Sequence, residues 1–333
     1  MSCHQLIPNG IAGVHKLNRF FSIICAITLT AILIRPLSSR AQNPDDQPFL
    51  VVLGISQDAG FPQAGCARDC CKAAWQDPSK RKHVACLGLV DPRSGARWLF
   101  DATPDLPEQL RMLDEIAPPS SAPGLNGILL THGHIGHYTG LMFLGHESMG
   151  ARNVPVFAMP RMRTFLSHNG PWDQLVRYKN IELRDLTDGQ ALELNDRIRV
   201  TPIRVPHREE YTEVVGFLIE GPQRSALYVP DIDKWEKWDR RIEDLIAQVD
   251  VAWLDGTFFA ESEVPGRDLT DIPHPLIAES LQRFQTLPPQ ERAKVRFIHL
   301  NHTNPALLPD SDATRAIERA GCRIAREGER FPL

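Results

Sequence analysis

The segment 131–140, which reads T-H-G-H-I-G-H-Y-T-G, constrains this chain more than any other feature. It follows the apolar run 127–130, which is typical of a buried strand, and it carries three histidines at spacings of two and three residues. A two-residue step on an extended segment places His132 and His134 on one side. Imidazole suits zinc, iron and manganese. The spacing therefore predicts a metal site that includes His137, with three solvated loop histidines as the alternative.

Short apolar runs recur along the chain and alternate with helical stretches. A hairpin is predicted at 86–100 and a helix at 106–116, where leucines and a methionine have helical spacing. Further strands are predicted at 49–54, 127–130, 154–158, 198–205, 214–220, 225–229, 251–254 and 294–300, and a second helical stretch at 274–285. Strand, loop, helix and strand in succession are typical of a layered α/β fold.

His207, Asp231 and His299 each fall at the end of a predicted strand. Together with the histidines of 131–140, their order resembles the metallo-β-lactamase superfamily, whose signature is H-x-H-x-D-H after a strand, then a histidine, an aspartate and a last histidine. The resemblance implies an α/β fold of the four-layer αββα type over residues 48–333. In that fold two mixed sheets are faced by helices, and the metal lies at one edge between the sheets.

Within that superfamily, several motifs resemble the coenzyme PQQ synthesis protein B family, from about residue 50 to the C-terminus. The motifs are Gly60-Phe61-Pro62-Gln63, Thr103-Pro104-Asp105, His137-Tyr138-Thr139-Gly140-Leu141, Asp255-Gly256-Thr257-Phe258 and Thr303-Asn304-Pro305. The resemblance implies a role in the biosynthesis of PQQ. That family has largely replaced the histidines equivalent to His132 and His134, which are present here. This chain therefore resembles a working metal site more than members of that family do.

The resemblance also implies how the metal ligands divide. His132, His134 and His207 supply three imidazoles for one ion, with Asp231 as a fourth or bridging ligand and one position open for water. Gly136 stands where the superfamily has an aspartate that holds a second ion. We therefore expect one zinc ion in the active site, with two ions as the alternative and with iron or manganese as alternative metals.

Two further histidines and two carboxylates complete the predicted site. His137 and His299 are expected to ligate a weak second ion or to transfer a proton to the leaving group, because an imidazole titrates near neutrality. Together with Asp231 they are the predicted catalytic residues. Asp101 resembles the superfamily's early aspartate, which braces the histidine loop by hydrogen bonds. Asp255 is expected either to brace the ligands in the same way or to touch the metal.

Cys66, Cys70 and Cys71 offer three thiolates within six residues. Three thiolates and one imidazole form the closed tetrahedral shell of a structural zinc ion. The cyclic-phosphate phosphodiesterase of phosphonate breakdown, another superfamily member, has a similar cluster completed by a histidine three residues after its last active-site histidine, which implies His302 here. Its spacing is C-x-C-x-x-C, whereas this chain has C-x-x-x-C-C. A disulfide from Cys66 to Cys71 or Cys86 is the alternative.

Residues 1–41 are predicted to be a secretory signal peptide. Basic residues precede an apolar block at 20–34, and Ser39 and Ala41 are small residues at the −3 and −1 positions of a cleavage site. An uncleaved membrane anchor is the alternative, but a membrane span needs about 20 apolar residues and this block ends sooner, at Arg35. We therefore expect a periplasmic or secreted protein with no stable membrane anchor after cleavage.

The net charge and the predicted metal site limit the classes of function that this chain can have. A net charge of −4 over 333 residues, without a basic stripe, excludes long-range attraction to nucleic acid and predicts a small-molecule substrate. A metal ion with an open position lowers the pKa of bound water toward ~7. The first hypothesis is therefore an exported metal-dependent hydrolase of a small ester, phosphodiester, lactone or amide. The alternatives are a metal-dependent oxidative enzyme of PQQ biosynthesis and a non-catalytic binding protein. The sequence predicts no oligomeric state.

Overall fold

The computed structural model describes residues 46–263 and 273–333. The predicted signal peptide, residues 1–41, lies outside the described residues. Two mixed sheets of seven strands each form the centre of the described part. With helices packed on these sheets, the four-layer αββα sandwich predicted from the sequence is confirmed.

The first sheet has the spatial order β14-β1-β2-β3-β4-β5-β6. Its strands are β1 (Phe49–Gly54), β2 (Cys86–Asp91), β3 (Ala96–Phe100), β4 (Gly127–Leu129), β5 (Val154–Ala158), β6 (Ile181–Asp185) and β14 (Arg330–Pro332). The pairs from β14 to β3 are antiparallel, and the pairs from β3 to β6 are parallel.

The second sheet has the spatial order β13-β12-β11-β10-β9-β8-β7. Its strands are β7 (Leu192–Glu193), β8 (Arg199–Arg204), β9 (Val215–Glu220), β10 (Ser225–Val229), β11 (Val251–Asp255), β12 (Val295–Ile298) and β13 (Arg323–Ile324). The pairs from β7 to β10 are antiparallel, and the pairs from β10 to β13 are parallel. Each sheet is therefore half antiparallel and half parallel.

The helices of the described residues lie between and after the strands. They are α1 (Asp69–Gln76), α2 (Leu106–Ile116), α3 (Ile135–Tyr138), α4 (Pro160–His168), α5 (Trp172–Arg177), α6 (Ile242–Gln248), α7 (Ile277–Phe284), α8 (Pro289–Arg292) and α9 (Asp312–Arg319). The predicted helical stretch 274–285 is shorter at its start, because the helix begins at Ile277. No helix in the described ranges has the length and apolar character that a bilayer crossing requires.

Both faces of the first sheet are buried, as β1 shows. Leu50 and Val52 pack in the core shared with the second sheet, whereas Val51 and Leu53 pack in a separate core with side chains of α2, α4 and α5. Burial of each such side chain stabilises the fold by about 1.5–3 kcal/mol. Strands that are buried on both faces read as continuous apolar runs, which is why their positions are visible in the sequence.

Strand direction determines where loop residues meet. In the first sheet β1, β3 and β4 run the same way, and in the second sheet β8, β10, β11 and β12 run the same way. Backbone hydrogen bonds join the two groups at one edge, from Gln57 N to Leu300 O (2.9 Å) and from Leu300 N to Ile55 O (2.8 Å). The loops that follow these seven strands therefore converge at a single edge between the sheets.

Candidate metal centre

Four side chains of metal-ligand type meet at this edge. They are His132, His134, His207 and Asp231, and one ligand atom from each lies within 4.8 Å of the others. His132 Nε2 is 2.9 Å from His134 Nδ1 and 3.3 Å from Asp231 Oδ2. His207 Nε2 is 3.2 Å from Asp231 Oδ1. The structure thus brings together the four residues predicted to hold the first ion, which follow β4, β8 and β10.

A second cluster lies beside the first. His137 Nε2 and His299 Nε2 are 3.3 Å apart. The Oδ1 atom of Asp58, in the loop after β1, is 3.2 Å from His137 Nε2 and 3.4 Å from His299 Nε2. The sequence predicted the two histidines but not Asp58, which belongs to none of the motifs that indicate a site.

The carboxylate of Asp231 lies between the two clusters. Its Oδ2 atom is 3.3 Å from His132 Nε2 in the first cluster. The same atom is 3.9 Å from both His137 Nε2 and His299 Nε2 in the second. One carboxylate therefore faces both sets of imidazoles, which is the arrangement that a bridging ligand needs.

The spacing of these atoms fits a divalent ion. In a tetrahedral zinc site with Zn–N bonds of 2.0–2.1 Å, neighbouring donor atoms are about 3.3 Å apart. The separations of 3.2–3.4 Å between Asp58, His137 and His299 match that value. In addition, the buried atoms His207 Nε2 and Asp231 Oδ1 have no hydrogen-bond partner within the described residues. Buried polar atoms are costly unless they are paired, and an ion at this position would pair both.

The far nitrogens of three histidines are held by carboxylates. His137 Nδ1 donates to Asp101 Oδ2 (2.7 Å), His207 Nδ1 to Asp233 Oδ1 (3.1 Å) and His134 Nε2 to Glu210 Oε2 (3.1 Å). A proton fixed on the far nitrogen leaves the near nitrogen with a free lone pair, and such outer partners are typical of metal-bound histidines.

Threonines hold the two remaining rings. His132 Nδ1 is 2.9 Å from Thr131 Oγ1, and His299 Nδ1 is 2.9 Å from Thr257 Oγ1. Each hydroxyl can donate to an aspartate, Asp101 or Asp255, while it accepts from the ring. All five near nitrogens can therefore present lone pairs inward, and these lone pairs repel one another unless a cation or a proton lies between them.

Asp101 and Asp255 lie where a supporting role requires them. Asp101 is fully buried, accepts from Thr131 N (2.7 Å) and holds His137. Asp255 is also fully buried and accepts from Ile232 N (3.1 Å), in the loop after β10. It faces neither imidazole cluster directly but contacts His274. Both aspartates thus act on residues that in turn face the site.

Backbone strain is present at the same edge. Asp101 directly follows β3 with φ 74°, and His299 directly follows β12 with φ 65°. Non-glycine residues in this left-handed region cost about 1–3 kcal/mol and persist where the surroundings fix them. At these two positions the left-handed backbone directs the Asp101 carboxylate and the His299 imidazole toward the site.

His274 is a buried histidine that sequence reasoning missed. Its Nδ1 is 2.9 Å from Asp255 Oδ2 and 3.2 Å from Asp231 Oδ1. Burial opposes its charged form, but the two carboxylates raise the pKa of His274 to about 10. It precedes α7 and has no spacing relation to the other histidines, so no motif could have indicated it.

The charges of the site link metal binding to pH. Burial lowers the pKa of His132 well below its usual range. Burial acts the same way on His137 and His207, but Asp101 raises the pKa of His137 and Asp231 raises that of His207 to about 9. Histidines must lose these protons to ligate an ion. Metal binding at this edge therefore releases protons and weakens as the pH falls.

Cys66, Cys70, Cys71 and His302 form a separate cluster. Cys71 Sγ and Cys70 Sγ are 3.3 Å and 3.7 Å from His302 Nδ1, and Cys66 Sγ is 3.8 Å from Cys70 Sγ. With Zn–S bonds of 2.3 Å, tetrahedral neighbours are about 3.8 Å apart, so this cluster also fits an ion. His302 faces these thiols while His299 faces the second imidazole cluster.

The cysteines differ from the prediction in two respects. Cys70 and Cys71 lie in the first turn of α1 rather than in a loop. The alternative disulfide of Cys66 with Cys71 or Cys86 is wrong for this structure, because all five cysteines of the described residues are free. Cys86 lies on β2, fully buried in the core beneath the helices.

Protonation differs sharply within the cysteine cluster. Slight burial opposes the thiolate of Cys66, but hydrogen bonds, first that of the Arg68 backbone, lower its pKa to about 7. Burial raises the pKa of Cys71 to about 12. A metal ion would therefore displace protons chiefly from Cys71 and from Cys70, whose pKa burial also raises.

Residues 96–325 match the family described as "Beta-lactamase superfamily domain". This range covers more than half of the chain. The chain belongs to the β-lactamase superfamily. The superfamily predicted from the order of histidines and aspartates is therefore confirmed.

Two curated relatives are both named coenzyme PQQ synthesis protein B. The chain is 26% identical to the protein of Nitrosococcus oceani over 306 residues, which cover 83% of this chain and 97% of that protein. It is 28% identical to the protein of Methylobacterium nodulans over 305 residues, which cover 84% and 97%. The predicted resemblance to that family is confirmed.

Solved structures show the same fold. Zn²⁺-bound PqqB from Methylobacterium extorquens matches with a TM-score of 0.72 and 22% identity, covering 86% of this chain and 100% of that one. A diphosphatase from the PhnP family matches with a TM-score of 0.60 and 23% identity, covering 86% and 97%. At such identities these structures establish the architecture and not the reaction.

Proposed function

We propose that this protein is a metal-dependent hydrolase of a small ester, phosphodiester, lactone or amide. The observation that carries the proposal is the Asp231 carboxylate, whose Oδ2 atom faces both imidazole clusters at 3.3–3.9 Å. A carboxylate shared between two sets of neutral nitrogen donors is suited to holding divalent ions close together.

The first ion would be held by His132, His134, His207 and Asp231. A divalent ion at these ligands supplies a water of lowered pKa, about 7, and polarises the bond to be broken. Zinc suits the imidazole and carboxylate donors, and iron or manganese are the alternative metals. The cysteine cluster would hold a further zinc ion with a structural role, because three thiolates and one imidazole leave no open position.

His274 is the proposed proton donor to the leaving group. Asp255 Oδ2 accepts a hydrogen bond from its Nδ1 at 2.9 Å, and Asp231 Oδ1 lies 3.2 Å from the same atom. Burial opposes the charged ring, but these two carboxylates raise the pKa of His274 to about 10. The proton to be transferred is then carried on Nε2. His137 and His299 were predicted either to ligate a weak second ion or to transfer a proton. We assign them the ligand role, because together with Asp58 they form a group that could hold a metal ion.

Two exposed apolar residues adjoin residues of the first cluster in the sequence. Ile135 follows His134 and is 63% exposed, and Tyr211 follows Glu210, the partner of His134, and is 65% exposed. Large apolar groups left in water beside a polar site favour contact with an apolar part of a ligand. We therefore propose a small substrate with an aromatic or aliphatic group next to the bond that is broken.

Among the four bond types, a phosphodiester fits the site best. Two ions about 3.5–4 Å apart stabilise the attacking and leaving oxygens of an in-line displacement at phosphorus. An Asp231 bridge would provide that arrangement, whereas ester, lactone and amide hydrolysis can proceed at a single ion. We extend the proposal to export after cleavage at Ala41, to a small-molecule substrate and to the absence of nucleic-acid partners.

The second candidate function is an oxidative, metal-dependent step in PQQ biosynthesis. It is favoured by the curated relatives named coenzyme PQQ synthesis protein B, which match over 83–84% of this chain. Imidazole and carboxylate donors also suit iron. This candidate predicts iron in the active site and no hydrolysis.

The deciding experiment combines metal analysis with a substrate panel. The protein is purified, its metals are counted, and turnover of bis(p-nitrophenyl) phosphate and p-nitrophenyl esters is measured before and after chelation. The proposal predicts turnover that chelation abolishes and zinc or manganese restores, and that is absent in Asp231→Asn. Iron as the bound metal, with oxygen consumption and no hydrolysis, would establish the second candidate instead. A fully zinc-loaded protein that is inactive on the whole panel contradicts the hydrolase.

A further inference from the structure

Gly136 lies in the histidine loop, directly before His137. The superfamily signature has an aspartate here, and its loss implies a weakened second ion site. In the structure, a Cβ atom built on Gly136 would lie 2.3 Å from Asp58 Oδ1 and 2.5 Å from Asp58 Cα. Cβ atoms essentially never lie within 3.0 Å of another non-bonded heavy atom. Any side chain at residue 136 would therefore displace Asp58.

Asp58 fills the space that glycine leaves. Its Oδ1 atom is within 3.2–3.4 Å of the near nitrogens of His137 and His299, which is about the donor spacing of a tetrahedral site. Its side chain is only 20% exposed.

The fold fixes Asp58 in this place through the backbone. Gln57 N donates to Leu300 O at 2.9 Å, and Leu300 N donates to Ile55 O at 2.8 Å. These bonds pair the chain after β1 with the chain after β12, which carries His299. A turn from Gly60 N to Gln57 O (2.8 Å) then directs residue 58 toward that histidine.

We propose that Asp58 supplies the carboxylate missing at Gly136, so that Asp58, His137 and His299, with Asp231 shared, form a complete second metal site. The ligand has moved from the histidine loop to the loop after β1, and Gly136 is the residue that makes room for it. The inference rests on the metal centre of the proposed function but not on its reaction.

The test counts ions per chain. Wild type, Asp58→Asn and Gly136→Ala are loaded with Co²⁺, separated from free metal by gel filtration and analysed by mass spectrometry. Asp77→Asn, which removes an exposed carboxylate beyond α1, is the matched control. Thiolate-to-cobalt absorption reports the cysteine cluster independently, and circular dichroism reports folding.

Both site variants are expected to hold one ion fewer per chain than wild type and Asp77→Asn, with the thiolate absorption unchanged. Gly136→Ala is the stricter variant, because it removes no donor atom and adds one methyl group. An Asp58→Asn protein that retains the full wild-type count overturns the ligand role of Asp58. A Gly136→Ala protein that does so overturns the role of Gly136.

The outcomes separate this inference from the proposed function. A wild type that holds no ion outside the cysteine cluster overturns both. A wild type with two further ions, unchanged by Asp58→Asn, overturns only the inference. A wild type whose second ion depends on Asp58, but which hydrolyses nothing on the panel, leaves the second site established and removes only the proposed reaction.

Discussion

The Asp101 carboxylate accepts the Nδ1 proton of His137 at 2.7 Å, with both side chains fully buried. The same carboxylate accepts from Thr131 N at 2.7 Å and from Thr131 Oγ1 at 2.9 Å. One group therefore orients His137 toward the second cluster and Thr131 toward His132. Through these hydrogen bonds Asp101, which follows β3, positions residues of both clusters. Replacing Asp101 should therefore affect both clusters.

Asp101→Asn is expected to weaken metal binding about 10–100-fold, in line with other outer partners of metal-bound histidines. The amide has only one accepting atom, so either His137 or Thr131 faces an NH₂ group. Competition with a chromogenic chelator measures the affinity. Asp188→Asn is the control, because Asp188 accepts a backbone hydrogen bond from Arg204 away from the clusters. Equal affinities in wild type and Asp101→Asn would show that the bond does not orient His137.

Cys71→Ser is expected to abolish the thiolate-to-cobalt absorption and to lower stability. An ion present at about 1,000 times its dissociation constant contributes about 4 kcal/mol to the free energy of unfolding. Thermal unfolding in zinc buffer, with and without chelator, measures the difference. The control is Cys322→Ala, which replaces a buried cysteine outside the cluster. A chelator-dependent loss of stability as large in Cys71→Ser as in wild type would exclude metal binding at this cluster, because the chelator removes the ions of the imidazole clusters from both proteins.

His274→Gln is expected to slow turnover roughly 100- to 10,000-fold while the metal content stays constant, as for a lost general acid. The pKa of His274, raised to about 10, means that the ring gives up its proton only as the pH rises through that value. Ions bound at Asp231 weaken this attraction and move the transition to lower pH. Rate profiles should show an alkaline limb in wild type that is absent in the variant. Identical profiles would assign the proton to another group.

His83→Gln is expected to cost stability in a pH-dependent way. A hydrogen bond with Glu327 at 3.1 Å raises the pKa of His83, although burial opposes it. Because the folded pKa exceeds the unfolded one, the stabilisation is fully present below about pH 6.5 and is lost as the pH rises through the folded pKa. Denaturant unfolding at about pH 5.5 and about pH 9 should show a difference of up to about 1 kcal/mol only at the lower pH. A difference independent of pH would indicate lost packing instead.

The sequence was most informative where local chemistry decides the structure. The runs 225–229 and 251–254 were predicted as strands because residues buried on both sheet faces are mostly apolar. The ligands at 132, 207 and 231 were predicted from the resemblance to the superfamily signature, and each follows a predicted strand. Loops at strand ends that point the same way must meet, so these positions could be combined without knowing the register.

Asp58 and His274 could not be predicted, and the reason is physical. The place of Asp58 depends on hydrogen bonds between residues 55–57 and residue 300, which are remote in sequence. His274 depends on the packing of the chain before α7 against Asp255. The prediction that Gly136 weakens the second site assumed that a lost ligand is not replaced, whereas glycine also creates the space into which a distant carboxylate can move.

The pairing of residues 55–57 with residue 300 affects the order in which the protein unfolds. It joins the two sheets at the edge where the ions would bind. Binding of the ions and contact between the sheets are therefore coupled. Removal of the ions by a chelator should weaken the pairing of residues 55–57 with residue 300 before any helix unfolds. Conversely, a substitution elsewhere that separates the two sheets should release the ions while most of the secondary structure persists.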